Sequence, residues 1–288
     1  MLSPATILLI GAALLGAIIG SFLNALSFRF NTGQRFFSKR GMGGRSRCMG
    51  CGHDLSALDL VPVLSFVFLR GKCRYCGTKI SWQYPLVELA GAALGVLVFL
   101  SVAKVTPSVE GVSLVTGALV AAFVFWMLVW MTLLFVVIYD IKHTIIPWSC
   151  SGLLAALAFI SLFIHFDTLA VTVPGLWQLL AGPALALPLF LLSLVSRGTW
   201  MGWGDSALEL SLGWFLGISM GATALMLGFW IGAFVGIALI GLSTLTRGRG
   251  FFGYTIRSEM PFAPFLVLGA LLAHFFHVDF FSTLVPFL

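Results

Sequence analysis

Long apolar runs without any charge limit most strictly what this chain can fold into. One of them, from Ser113 to Tyr139, contains no Asp, Glu, Lys or Arg. At about 1.5 Å of rise per residue, a helix of that length crosses the roughly 30 Å hydrocarbon core of a bilayer. The chain as a whole is 60% hydrophobic and 9% charged, a balance that excludes an ordinary soluble protein. The sequence therefore predicts an all-α polytopic membrane protein.

Eight apolar segments are long enough to be treated as separate membrane helices. They lie near Pro4–Phe28, Gln83–Ala103, Ser113–Tyr139, Trp148–Phe166, Leu176–Ser196, Ser206–Met220, Thr223–Ser243 and Pro261–Val278. The sixth is short, and only residues 220–222 separate it from the seventh. The first segment is long for a signal peptide and has no basic stretch before it, so we expect a retained helix. We expect a first transmembrane helix at 1–28, a small insert at 29–82 and a transmembrane domain at 83–288.

The basic residues indicate how these helices are oriented. With eight crossings, 15 of the 16 Lys and Arg residues fall on one side of the membrane, and Lys104 alone falls on the other. Cytoplasmic flanks of membrane helices carry the excess of positive charge. The insert at 29–82 is therefore predicted to be cytoplasmic, with both termini outside. Orientation and contact with anionic lipid explain the net charge of +6, so we expect no nucleic-acid partner.

Four of the five cysteines form two C-x-x-C pairs within the insert. Cys48 and Cys51 make the first pair, and Cys73 and Cys76 the second. A glycine follows each pair (Gly52 and Gly77) and is predicted to allow the tight turn that brings both sulfurs onto one ion. Two such pairs are typical of a zinc site closed by four thiolates, although the 21 residues between them slightly exceed the usual interval. Such a site is structural, because no position is left for water. Two disulfides are the alternative, although disulfides are rare in the cytoplasm. So small an insert has little core, so we expect its folding to depend on Zn²⁺.

Two of the ten acidic residues stand at the predicted cytoplasmic ends of membrane helices. Asp140 ends the third predicted helix, and Asp205 precedes the sixth. Two carboxyls that meet at one depth share a proton, since both cannot be ionised cheaply. Such a pair hydrolyses an amide through a water molecule. We expect Gly202 and Gly204 to give Asp205 an unusual backbone conformation and room for a substrate strand.

Structural explanations of these acids remain open at this stage. Asp205 would serve equally well as a helix N-cap, and Asp140 as an interfacial residue paired with Lys142 or His143. Glu88 would then satisfy a neighbouring helix. Glu209, one helical turn beyond Asp205, would either touch the site or merely face it.

Five motifs together resemble the prepilin leader peptidases of type IV pilus and type II secretion systems. The motifs are Gly20–Arg29 (GSFLNALSFR), Leu60–Ala92 with the second cysteine pair, Tyr139–Pro147 (YDIKHTIIP), Gly202–Asp205 (GWGD) and Met260–Ala270 (MPFAPFLVLGA). The resemblance covers nearly the whole chain. It implies an intramembrane aspartic protease of the bacterial inner membrane, with Asp140 and Asp205 as the catalytic pair and Cys48, Cys51, Cys73 and Cys76 as zinc ligands.

The resemblance also implies substrates and a second activity. Members of the family cleave the basic leader from prepilins or pseudopilins at the cytoplasmic face, just after a glycine. Many of those with four cysteines also methylate the new N-terminus with S-adenosylmethionine, for which the sequence gives no residues. The chain departs from the family pattern at two positions, where Ala207 replaces a usual lysine and Ala263 a usual glycine.

Two other functions are compatible with parts of the sequence. An ion-coupled transporter would use the carboxylates as a cation site, but transporters tend to carry internal repeats and midplane sites, and this chain shows no clear repeat. The other is a catalytically inactive assembly factor that is held together by its zinc insert. The replacement of the usual lysine by Ala207 suggests this hypothesis.

Overall fold

The computed structural model describes residues 3–30, 46–105, 112–166, 170–245 and 260–282. Within these ranges the chain is mainly helical. The helices are α1 (Pro4–Arg29), α2 (Leu64–Phe68), α3 (Gln83–Val105), α4 (Val112–His143), α5 (Trp148–Phe163), α6 (Leu176–Val195), α7 (Trp203–Leu245) and α8 (Ala263–Phe276). A 3₁₀ turn at Ala57–Leu60 precedes α2. Residues 31–45 of the insert lie outside these ranges. So do Glu110, Asp167 and the basic sequence RGRG at 247–250.

Length and composition agree with the predicted polytopic membrane protein. In the described part of the chain, α1, α3, α4, α6 and α7 are long and apolar enough to cross a membrane. The apolar helices α5 and α8 are shorter. The protein is therefore a multi-pass membrane protein, and its cysteine cluster lies between α1 and α3.

The longest helix, α7, turns back on itself at Gly217. This residue has φ 75° and ψ 179°, a non-helical conformation that glycine adopts readily. A Cβ placed on Gly221 would lie 3.5 Å from the Cα of Gly213. Residues eight positions apart in a straight helix are about 12 Å apart, so the chain must reverse direction here. The arms at 203–216 and 218–245 thus correspond to the predicted sixth and seventh apolar segments. They divide at Gly217 and not, as predicted, at 220–222.

The fourth predicted crossing ends earlier than its apolar sequence indicates. Helix α5 stops at Phe163, and β1 (Ile164–His165) pairs antiparallel with β2 (Ala170–Val171). Ile164 is β-branched and adopts extended backbone as the helix C-cap. The apolar pattern cannot distinguish this strand from another turn of helix.

The chain forms two compact units, Met1–Ile138 and Tyr139–Leu288. In the first unit, α1 and α3 approach closely because glycines line their contact. A Cβ on Gly16 would lie 2.1 Å from the carbonyl oxygen of Gly91, and one on Gly95 would lie 2.3 Å from that of Ala12. Small residues four positions apart are a usual helix contact within membranes. The predicted domain boundaries at residues 28 and 82 separate membrane helices from the insert, and they remain a prediction.

The second unit packs α5, α6 and α8 against α7. At the Gly217 end, the hydroxyl of Ser219 donates to Asp279, which follows α8, at 2.6 Å. The first residues of α7 and α8 and the last residues of α4 lie at the opposite end. Both predicted catalytic residues belong to this end of the unit.

Candidate functional site

Asp205 lies in the first turn of α7. The helix begins at Trp203, so Asp205 is its third residue and Gly202 occupies the N-cap position. The Asp205 carboxylate accepts a hydrogen bond from the Gly202 N–H at 3.2 Å. Asp205 is therefore not an N-cap itself, although it satisfies one free N–H of the helix start. Its negative charge is favoured by the positive end of the helix dipole.

Asp140 lies one turn before the end of α4 and is 4% exposed. Its carboxylate accepts a hydrogen bond of 3.1 Å from the backbone N–H of Ala263, the first residue of α8. Asp140 thus faces the N-terminus of a second helix. The contact joins the Tyr139–Pro147 motif to the Met260–Ala270 motif, both of which carry the family resemblance.

The chain segments that carry the two aspartates touch. A Cβ added to Gly204 would lie 2.7 Å from the Cβ of Ile146, which follows Asp140 by six residues. Asp205 is 8% exposed. The structure therefore brings two buried carboxyls, distant in sequence, to one end of one unit.

The glycines before Asp205 do not have the unusual backbone conformation that was predicted for them. Neither Gly202 nor Gly204 has a positive φ, so neither gives Asp205 an unusual backbone conformation. Gly204 is required because the Ile146 side chain leaves no room for a Cβ. The sequence shows the glycine, but not the neighbour that demands it.

Glu209 is the third carboxyl of this region. It is 0% exposed, and neither carboxyl oxygen has a hydrogen-bond partner among the residues that the structure describes. It follows Asp205 by four residues, which places both on one face of α7. The sequence left open whether Glu209 touches the site. The structure shows that it is not a solvated surface residue.

The four predicted metal ligands form one cluster in the first unit. The sulfurs of Cys48, Cys51, Cys73 and Cys76 all lie within 4.8 Å of one another, and all four are free thiols. The Cys48 and Cys76 sulfurs are 3.7 Å apart. A tetrahedral zinc ion with Zn–S bonds of about 2.3 Å places its sulfurs about 3.8 Å apart. The cluster is therefore able to hold a metal ion, and its size fits zinc.

Each cysteine pair sits in a short loop of the same design. Gly52 and Gly77 have φ of +70° and +71°, as expected for the tight turn after each pair. Their N–H groups donate to the carbonyls of Cys48 at 2.9 Å and Cys73 at 3.0 Å. A hydrogen bond with the Thr78 hydroxyl lowers the pKa of the Cys76 thiol to about 6, which favours the thiolate that a metal requires.

Polar contacts join the two cysteine loops. Asp59 accepts hydrogen bonds from the hydroxyl and N–H of Ser56 and pairs with Arg74 at 2.7 Å. These partners, the Ser56 hydroxyl first, hold the pKa of Asp59 below its usual range. The rings of His53 and Tyr75, one from each loop, lie 3.8 Å apart. His53 therefore packs beside the cluster, as expected for a residue that is not a ligand.

Glu88 anchors the insert to the membrane helices of its unit. One carboxylate oxygen accepts from the Ser21 hydroxyl on α1, and the other accepts from the N–H of Val63, each at 2.7 Å. Val63 is the N-cap of α2 and has φ 61°, a rare conformation for a β-branched residue. The sequence indicated that Glu88 satisfies a neighbouring helix. The role of Val63 was missed, because nothing in the local sequence marks a positive φ.

Comparison with known proteins gives a consistent set of relatives. The family described as the bacterial peptidase A24 N-terminal domain matches residues 14–102. A prepilin leader peptidase/N-methyltransferase of Burkholderia pseudomallei (strain 1026b) is 35% identical over 242 residues, which cover 83% of this chain and 70% of that protein. The protein of the same name from Bacillus subtilis (strain 168) is 30% identical over 265 residues and 91% of both chains.

A third relative of that name, from Aeromonas hydrophila, is 32% identical over 231 residues, which cover 80% of this chain and 70% of that protein. No solved structure matches the chain significantly.

Proposed function

Since the chain belongs to the prepilin leader peptidase/N-methyltransferase family, we propose that it removes the leader peptide of type IV prepilins or pseudopilins. In this proposal it is an aspartic endopeptidase of the bacterial inner membrane, and Asp140 and Asp205 are its catalytic residues. The observation that supports the proposal is that two buried carboxyls, on segments that touch, lie at one end of the second unit.

The chemistry follows from two carboxyls that share one proton. The ionised member removes a proton from a water molecule, whose oxygen attacks the carbonyl carbon of the scissile bond. The protonated member donates its proton to the carbonyl oxygen, which gives a neutral tetrahedral diol. When the carbon–nitrogen bond breaks, the leaving nitrogen takes a proton from one carboxyl and the diol returns one to the other. The products are a leader carboxylic acid and a free pilin amine.

The hydrogen bonds from Gly202 and Ala263 support this division of labour. Each aspartate accepts one backbone N–H, which holds its side chain in place without supplying a positive charge. A backbone amide stabilises the ionised form of either carboxyl, and the close pair then favours one proton between them. These two hydrogen bonds alone do not decide which aspartate is the acid and which the base, because the pair titrates as a unit.

Substrate position follows from the charge pattern of the sequence. We place the aspartate end of the second unit and the cysteine insert at the cytoplasmic face. A basic leader stays in the cytoplasm while the apolar pilin segment lies among the membrane helices and lipid. The scissile bond then lies at the boundary between them, at the depth of Asp140 and Asp205.

The four-cysteine cluster has a structural role in this proposal. Cys48, Cys51, Cys73 and Cys76 would hold Zn²⁺ as thiolates, and the ion would supply folding energy to the insert. With all four positions taken by sulfur, no water or substrate reaches the metal. Prepilin cleavage is therefore assigned to the carboxyls alone.

Methylation of the new N-terminus is proposed from the names of the relatives. The free amine made by cleavage would accept a methyl group, and S-adenosylmethionine would be the donor. No residues are assigned to that cofactor. Cleavage must come first, since the amine that is methylated is part of the peptide bond until then.

The proposal is tested by incubating purified protein with a prepilin, with and without S-adenosylmethionine, and measuring the intact mass of the product. Asp140→Asn and Asp205→Asn keep the oxygen that accepts the backbone N–H and remove the acid. We expect cleavage to fall at least about a hundredfold in each variant. Asp279→Asn, which changes a membrane carboxylate at the other end of the unit, is the matched control and should cleave normally.

Loss of the leader mass with wild-type protein, and an added methyl mass only when the donor is present, are the expected results. Full cleavage by either Asp140→Asn or Asp205→Asn would contradict the catalytic assignment. Cleavage without any gain of methyl mass would support the peptidase activity and contradict the proposed methyltransferase activity.

A further inference from the structure

Glu209 is the most deeply buried carboxyl near the proposed catalytic pair, and the mechanism above does not use it. It is fully buried, and its two oxygens have no hydrogen-bond partner within the described ranges of the chain. The nearest hydroxyls on the same arm of α7 are bound elsewhere. Ser206 donates to the carbonyl of Trp203 at 2.8 Å, and Ser211 donates to that of Ala207 at 3.2 Å.

Helix geometry places Glu209 on the same face of α7 as Asp205. Residues four positions apart lie on one face, with their Cβ atoms about 6 Å apart. Side chains of an α-helix also point back toward its N-terminus, over the residues three and four positions earlier. Asp205 lies four positions earlier and keeps its own backbone hydrogen bond to Gly202. Neither Glu209 oxygen bonds Asp205 directly, so one water molecule would link the two carboxyls.

Burial decides the charge of Glu209. An ionised carboxylate without a partner costs several kcal/mol in such surroundings, by rough estimates. No Lys or Arg occurs between Asp205 and Thr246, so the same helix supplies no counter-ion. The neutral acid is the form that this position tolerates. A neutral acid has one O–H to donate, whereas a carboxylate only accepts.

We propose that Glu209 is a protonated positioning residue, whose O–H donates to Asp205 through one water molecule and stabilises that aspartate in its ionised, proton-accepting form. The inference rests on the proposed function, because Asp205 is the residue it serves. No bond is made or broken at Glu209, and its proton stays on it throughout. It acts through Asp205 and does not touch substrate.

Two substitutions separate this role from simple packing. Glu209→Gln keeps the length and a donating group, so kcat for prepilin cleavage should stay within about threefold of wild type. Glu209→Leu fills similar space and donates nothing. A hydrogen bond to a charged group is worth roughly ten- to a hundredfold, so kcat should fall by that factor while KM stays within about twofold. Thermal unfolding of both variants reports whether they fold.

Infrared difference spectra of wild type and Glu209→Gln provide a measurement independent of activity. At neutral pH the carbonyl stretch of a protonated carboxyl should be lost in Glu209→Gln. If no such band is lost, Glu209 is ionised and the proposal is overturned. A buried carboxylate would then require a bound cation as its partner. This result decides the question even where Glu209→Leu does not fold.

Kinetics offers two further ways to overturn the proposal. One is a folded Glu209→Leu variant that cleaves as fast as wild type. The other is a Glu209→Gln variant that loses as much activity as Glu209→Leu. Failure of the wild-type protein to cleave prepilin would instead refute the proposed function, and the infrared result would still report the protonation of Glu209.

Discussion

Single residues explain why the carboxyls of this chain tolerate burial. Asp140 and Asp205 each accept a backbone N–H at the start of a helix, and Glu88 accepts two donors. Burying a polar group is costly unless it is hydrogen-bonded, so these contacts offset much of the cost. Glu209 differs, since it lacks such partners among the described residues. The hydrogen-bond contacts therefore distinguish four acids that the sequence presents as one class.

The cysteines were the residues most easily interpreted from sequence. Ligands of one zinc site come in pairs with two residues between them, so spacing alone indicates the chemistry. The partners of Glu88 and the neighbour of Gly204 are distant along the chain, and no local pattern reveals them. The backbone conformation predicted for Gly202 and Gly204 was therefore wrong, while the prediction of tight turns at Gly52 and Gly77 was confirmed.

Gly204→Ala should impair cleavage. The new Cβ would lie 2.7 Å from the Cβ of Ile146, a branched atom that cannot rotate away. One of the two segments must shift, and a displacement of about 1 Å in a catalytic group costs up to a hundredfold in rate. Gly152→Ala on α5 is the control, because nothing lies within 4 Å of its added Cβ. Equal cleavage rates for the two variants would show that this contact does not position Asp205.

Cys73→Ser should release the metal. Cys73 is the buried member of the cluster, and three thiolates with a hydroxyl bind zinc more weakly than four thiolates. We expect zinc per protein to fall at least about tenfold, together with the thermal stability of the insert. Cys150→Ser, which changes the cysteine outside the cluster, should keep the zinc of wild type. Full zinc occupancy in Cys73→Ser would contradict a four-thiolate site.

Helices are the scale at which the sequence was most informative. Apolar length marks each membrane helix, because the bilayer fixes how many residues a crossing needs. Element ends were less accurate. The division of α7 falls at Gly217, since only a positive φ at that residue lets the chain reverse. Several nearby glycines made equally good candidates in the sequence, and packing between the two arms decides among them.

Gly16→Ala should destabilise the contact between α1 and α3. The added methyl would lie 2.1 Å from the carbonyl oxygen of Gly91, so the helices must separate. Overpacking of this kind costs about 1–3 kcal/mol of the free energy of unfolding. Gly11→Ala on the same helix meets nothing within 4 Å and is the matched control. Thermal unfolding in detergent measures both, and equal midpoints would show that the close approach is not required.

At the scale of the whole molecule, the second unit has two distinct ends, one with the two aspartates and one with Gly217. In the second unit the starts of α7 and α8 and the end of α4 lie together, away from Gly217 and Asp279. Lys142, in the last turn of α4, and Arg197, just after α6, lie toward the aspartate end, which the charge pattern predicts to be cytoplasmic. The sequence could predict this sidedness from charge. It could not show that Asp140 and Asp205 lie at the same end of one unit, because that depends on how α4, α7 and α8 pack.

The most direct test of this arrangement is chemical cross-linking in the membrane of a chain that carries Asp140→Cys, Asp205→Cys and Cys150→Ser. The zinc-bound cysteines stay in place, and the protein is cut between the two new thiols before analysis. A short bifunctional thiol reagent should join the fragments in this variant. It should leave them separate when Asp279→Cys replaces Asp205→Cys. Joined fragments in the first variant alone are the result we predict, and separate fragments in both would contradict a shared site for the two aspartates.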